Sequence, residues 1–195
     1  MIVGHLGLAL GARAVDPEAP LGWLVAATMA PDILDLTIAA GGYCNSGGVY
    51  THSLVAIAAT ASVLGAAAAW QTRSGKTALV IAALVVSHLL ADYIVGRKAL
   101  WLGGPVWGFD LYRWPWADFL VEATTIAGGW WAARRWGDLP RWASSRVAVV
   151  VLILAQMGAD AVQNGGASHD ATSCAKAWVF ERDRVDHREG EYRHR

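Results

Sequence analysis

The chain has 195 residues, 55% of them hydrophobic and 16% charged, against about 45–50% and 25% in an ordinary soluble domain, which argues against a water-soluble enzyme. Sixteen Lys and Arg balance sixteen Asp and Glu, so the basic surface that nucleic-acid binding needs is missing. Residues 166–195 hold 12 of these 32 charges; without them the chain reads as a membrane protein.

In chain order, residues 1–14 carry a short apolar run but no basic leader, so Ala12-Arg13-Ala14 is not read as a signal-peptide cleavage site. Leu21 to Ala40 is long enough to cross a bilayer, yet holds Asp32 and Asp35 behind Pro31. Two carboxylates at that depth are costly without a partner or water, and the segment reads as broken or half-buried. Four apolar runs, about 53–70, 77–95, 116–133 and 146–163, approach the roughly 20 helical residues that a bilayer core requires. The polar turn from Gln71 to Lys76 makes the first two a helical hairpin, and the tryptophans crowd the run ends as interfacial belts do. The predicted fold class is all-α: a polytopic membrane bundle of about four transmembrane helices, five if 21–40 crosses, with N-terminal interfacial or re-entrant helices. Residues 1–165 form the membrane-embedded domain, and 166–195 a polar, charged, partly disordered tail.

This layout puts residues 1–52, the 96–115 loop and the tail on one face, and loops 71–76 and 134–145 on the other. Arg73, Lys76, Arg134, Arg135, Arg141 and Arg146 then oppose Arg13, Arg97, Lys98 and Arg113. The positive-inside rule makes the second face cytoplasmic. The chain is thus expected to be a multi-pass protein of the cell membrane.

The buried ionisable groups gather toward the other, exoplasmic, face. His52 starts the first run, His88 and Asp92 end the second, and Glu122 lies about 9 Å inside the third. His88 and Asp92 are four residues apart and Asp32 and Asp35 three, so each pair shares a helix face. Imidazoles with carboxylates are a ligand set for zinc or another divalent metal such as manganese or iron. Any one of them alone reads as a structural polar contact; His52, His88, Asp92, Asp32 and Glu122 together read as a functional centre. Asp160 reads as structural. If His5 joins the cluster, residues 1–20 and His52 lie on one side, and 21–40 does not cross.

Gly4-His5, Ala30-Pro31-Asp32-Ile33-Leu34-Asp35, Thr51-His52-Ser53-Leu54, Ser87-His88-Leu89-Leu90-Ala91-Asp92, Trp114-Pro115 and Glu122 occur here in an order that resembles the YdjM-like family of membrane-bound metal-dependent hydrolases, over roughly the first 135 residues. Such proteins look like distant relatives of zinc-dependent phospholipase C. The resemblance implies that His5, Asp32, His52, His88 and Asp92 are metal ligands. The chain departs from the family pattern before Thr51, where Gly48-Val49-Tyr50 offers no basic residue to a substrate phosphate, and after Asp92, where Tyr93-Ile94-Val95-Gly96 stands in place of an early Thr.

The leading functional expectation is a metal-dependent hydrolase that uses a metal-activated water on an amphiphilic, lipid-like phosphoester or ester, with membrane lipid as its neighbour. Asp35 counts as a further candidate ligand, and Glu122 as general base or supporting group. The alternatives are a small transporter or proton relay using the same groups, and an inactive structural protein. Cys44 and Cys174 fall on one face, where an exoplasmic setting would permit a disulfide.

Overall fold

The computed structural model describes residues 3–43, 45 and 48–166, the last five by backbone alone. The tail beyond 166 and both cysteines lie outside the described residues. Seven α-helices form the described fold. α1 (Gly4–Val15) stops before Asp16-Pro17, because proline disfavours helical backbone in the residue ahead of it. α2 (Leu21–Ala40) starts behind Pro20 and runs through Pro31, and α3 (Val49–His52) is a single turn. Serine caps open α4 (Leu54–Thr72) and α5 (Gly75–Val95): Ser53 Oγ accepts from the Ala56 N–H at 3.3 Å and Ser74 Oγ from that of Thr77 at 3.1 Å. Pro115 opens α6 (Pro115–Trp136), where its missing N–H costs no intrahelical bond, and α7 (Arg146–Gly166) closes the bundle. The four apolar runs thus become α4, α5, α6 and α7.

The connection from α5 to α6 carries a small sheet that the apolar pattern does not announce. β1 (Lys98–Ala99) pairs antiparallel with β2 (Val106–Trp107), turning through Gly103 at φ +72°. Leu54 N donates to Leu100 O at 3.0 Å and Phe109 N to Tyr93 O at 2.8 Å. These bonds fix the hairpin across neighbouring ends of α4 and α5.

α1 runs antiparallel to α5. His5 lies beside Asp92 at one end, and at the other the Thr77 hydroxyl donates to Asp16 at 2.7 Å. α2 returns alongside, Trp23 Nε1 donating to Gln71 Oε1 at 2.5 Å before Asp32 reaches the level of His52. Arg13 donates to the carbonyls of Ala19 and Asp138. The 16–20, 72–75 and 137–145 connections therefore share one end of the bundle, and segments 41–53 and 96–114 the other. This corrects the expectation that residues 1–20 stay on the face of His52. α1 starts at the depth of the cluster and descends, so His5 joins the cluster without preventing α2 from crossing. Among the described residues three helices are long and apolar enough to span a membrane, α2, α4 and α5; α6 and α7, expected as spans from the runs 116–133 and 146–163, are not among them.

α1 and α6 touch through glycine. A Cβ at Gly7 would overlap the backbone of Thr125 and Ile126, and one at Gly129 the carbonyl of Gly7. In lipid, where apolar burial drives association weakly, such backbone proximity supplies the packing. The exposed tryptophans lie toward the two ends: Trp101, Trp107, Trp114 and Trp116 at one, Trp70, Trp131, Trp136 and Trp142 at the other.

Candidate metal centre

Four helices deliver five ionisable side chains to one point. His5 (α1), His52 (α3) and His88 (α5) are fully buried, Asp92 (α5) is 2% exposed, and Asp32 (α2) keeps a 21% exposed edge. His52 Nε2 lies 3.1 Å from His88 Nε2, 3.3 Å from Asp32 Oδ1 and 3.2 Å from Asp92 Oδ2. His88 Nε2 is 3.6 Å from the same two oxygens. One ligand atom from each of Asp32, His52, His88 and Asp92 lies within 4.8 Å of all the others. His5 stacks on His88 with ring centroids 3.8 Å apart, its Nδ1 3.6 Å from Asp32 Oδ2 and its Nε2 3.6 Å from Asp92 Oδ1.

Neighbouring groups aim the rings. Pro31 lacks an N–H and its ring crowds the turn before it; in that turn the Thr28 carbonyl accepts from His88 Nδ1 at 2.6 Å. The His88 proton is thereby held on Nδ1, and the Nε2 lone pair faces the cluster. His52 Nδ1 lies 2.7 Å from Thr51 Oγ1, which in turn accepts from Asn45 Nδ2 at 2.9 Å. Asn45 also donates to Asp35 Oδ1 at 2.6 Å. Asp35, a candidate ligand by its spacing, therefore stands three hydrogen bonds behind His52, through Thr51 and Asn45, outside the converging set.

The residues fit a divalent cation. Both ring nitrogens of His5, Asp32 Oδ2 and Asp92 Oδ2 are buried without a hydrogen-bond partner, a costly condition in low dielectric that a shared cation relieves. Lys98 Nζ, on β1, approaches Asp92 Oδ2 at 3.3 Å. Replacing Thr51 by Val keeps the shape and removes the hydroxyl that orients His52. Loss of such an orienting bond weakens metal affinity roughly 10- to 100-fold, which chelator competition would read; unchanged affinity would show that Thr51 does not set the ring.

Glu122 lies in a second group, with one oxygen from each of Asp118, Glu122 and Asp160 within 4.8 Å of the others. It accepts a hydrogen bond from the Gly4 N–H. Gln156 Oε1 accepts from Val3 N at 3.0 Å, while its Nε2 donates to Asp160 at 2.5 Å. Unserved N–H groups at the start of α1 are satisfied here, and the next residue, His5, is held in place. Glu122 thus has the geometry of a supporting group. The four-residue spacing of Asp118 and Glu122 repeats that of His88 and Asp92, a signal the sequence carries but the depth of each residue alone does not reveal.

Tyr112, in the 3-10 turn Leu111–Arg113, packs its ring against Gly96 and keeps 37% exposure. Its hydroxyl end is enclosed. Burial, reinforced by Asp92, Asp118, Glu122 and Asp32, raises the phenol pKa above its usual value, so Tyr112 stays a neutral O–H at neutral pH. Asn45, Lys98 and Tyr112 lie in the connections between the long helices, where no apolar periodicity marks them, which is why sequence reading passes over them. Comparison with family models, curated proteins and solved structures finds no match to this chain.

Proposed function

We propose that this chain is a membrane-embedded, metal-dependent hydrolase, the activity implied by its resemblance to the YdjM-like family. The observation that carries the reading is the 3.1 Å approach of His52 Nε2 to His88 Nε2 between two carboxylates, with the His88 proton committed to Thr28. The His88 Nε2 lone pair is thus directed at the His52 ring between the carboxylates, an arrangement that a shared cation satisfies. Nitrogen and oxygen donors without a thiolate suit zinc, with manganese and iron as alternatives.

In this reading His52, His88, Asp32 and Asp92 hold the ion, and His5 closes one side by stacking on His88. An ion bound there lowers the pKa of a water and polarises an ester or phosphoryl oxygen. Thr51 and the Thr28 carbonyl keep the imidazoles aimed, and Glu122 secures α1 and with it His5. Asp32 and Lys98 form the partly exposed rim, beside exposed Trp101, Leu102, Trp107 and Phe109. A polar centre under an aromatic rim favours an amphiphilic, lipid-like ester whose head reaches the ion while its tail remains in lipid.

Arg13, Arg73, Lys76, Arg134, Arg135, Arg141 and Arg146 lie at or near the end opposite the cluster, and Arg97, Lys98 and Arg113 at the cluster end. By the positive-inside rule the cluster faces the exoplasmic side of the cell membrane. Transport by the same residues is less favoured, because below the cluster the groove between α1, α5 and α6 is lined mainly by apolar residues and glycine, with the hydroxyls of Ser87 and Thr125 but no ionisable group to continue a relay. The decisive assay incubates metal-loaded protein in detergent with phosphomonoester, phosphodiester and acyl-ester amphiphiles. Hydrolysis lost in Asp92→Asn is expected; stoichiometric metal without turnover of any class would remove the enzyme while keeping the centre.

A further inference from the structure

Lys98 is the only basic side chain among the described residues within ion-pair distance of the His/Asp cluster. Its position is built. β1 begins three residues after α5, the hairpin is pinned through Leu54–Leu100 and Phe109–Tyr93, and Lys98 pairs in register with Trp107. Its Nζ reaches Asp92 Oδ2 at 3.3 Å while 20% of the side chain remains exposed. The ammonium therefore lies at the mouth of the centre, with one side toward the cluster and the other toward the approach.

Charge balance gives this position a consequence. Among the converging side chains a divalent ion is neutralised by Asp32 and Asp92, since Asp35 is turned away to Asn45 and Asp118, Glu122 and Asp160 form a separate set, and the charge on Lys98 is left over. A surplus positive charge at a poorly solvated mouth is costly until an anion occupies it. We propose that Lys98 is an anion-recognition residue: its ammonium and the ion together bind the phosphoryl oxygens of the substrate, making the substrate class an anionic phosphoester rather than a neutral ester. This rests on the hydrolase reading above and narrows it.

The test uses the full chain in detergent, zinc-supplemented, with inorganic phosphate as the probe, in wild type, Lys98→Met and Lys98→Arg. Metal content is measured first, then phosphate affinity by calorimetry. All three proteins are expected to hold the same metal. Phosphate is expected to bind wild type, about tenfold or more weaker in Lys98→Met, as for loss of a charged hydrogen bond, and within a few-fold of wild type in Lys98→Arg. Equal phosphate affinity in Lys98→Met, or no phosphate binding by metal-loaded wild type, overturns the proposal. Metal lost in Lys98→Met alone overturns it too, by making Lys98 part of the scaffold of Asp92. Wild type without metal instead overturns the hydrolase reading itself, a result separable because metal is read before phosphate is added.

Discussion

The double variant His88→Ala/Asp92→Asn is expected to keep its helices and retain essentially no divalent metal. Structural zinc binding is worth about 10–16 kcal/mol in small domains, or about 3 kcal/mol for each of four ligands. Losing two of the four converging groups then removes about 6 kcal/mol, roughly a 10⁴-fold loss of affinity. Stability after chelation separates this from a structural role. His5 is fully buried, and neither of its ring nitrogens has a hydrogen-bond partner. Buried polar groups that converge for an absent ion are a burden on the fold. The chelated His5→Leu single variant should therefore unfold at or above the temperature of chelated wild type. A polar network built for stability gives the opposite order, because breaking one partner leaves the others unsatisfied.

The second large effect lies in the contact of α1 with α6. Gly129→Val places a side chain against the carbonyl of Gly7, two residues beyond His5, whereas a Cβ at the neighbouring Gly128 meets nothing within 4 Å. Overpacking costs about 1–3 kcal/mol, and here the atoms struck are backbone and cannot turn away. Gly129→Val is expected to lower the unfolding temperature and, by moving α1, to weaken metal retention; Gly128→Val should do neither. Equal behaviour of the two variants in thermal unfolding and metal analysis would contradict the close approach.

The two variants mark where the sequence was readable and where it was not. His88 and Asp92 are legible because a helix four residues apart brings side chains together whatever surrounds it. The ends of α4 to α7 are legible because each apolar run is punctuated by Ser, Gly, Pro or a charged turn. Asp35 shows the limit: three residues from Asp32 it shares a helix face, yet Asn45, from the loop after α2, draws it away from the cluster. α1 shows another. Its 12 residues are too few to be read as a span, so its descent from His5 to Asp16 emerges only from packing against α5 and α6. Glu122, deep and acidic, looks like a base in sequence. Its bond to the Gly4 N–H becomes visible only when α1 is in place.

The central claim is that imidazoles from three helices meet two carboxylates around one divalent ion. X-ray absorption at the metal edge, on full-length protein purified without an affinity tag and supplemented with zinc, tests it most directly. A first shell of nitrogen and oxygen near 2.0–2.1 Å is expected, with outer-shell scattering from two to three imidazoles that falls by about one ring in His88→Ala. Zinc that fails to bind, or binds without imidazole scattering, would contradict the account.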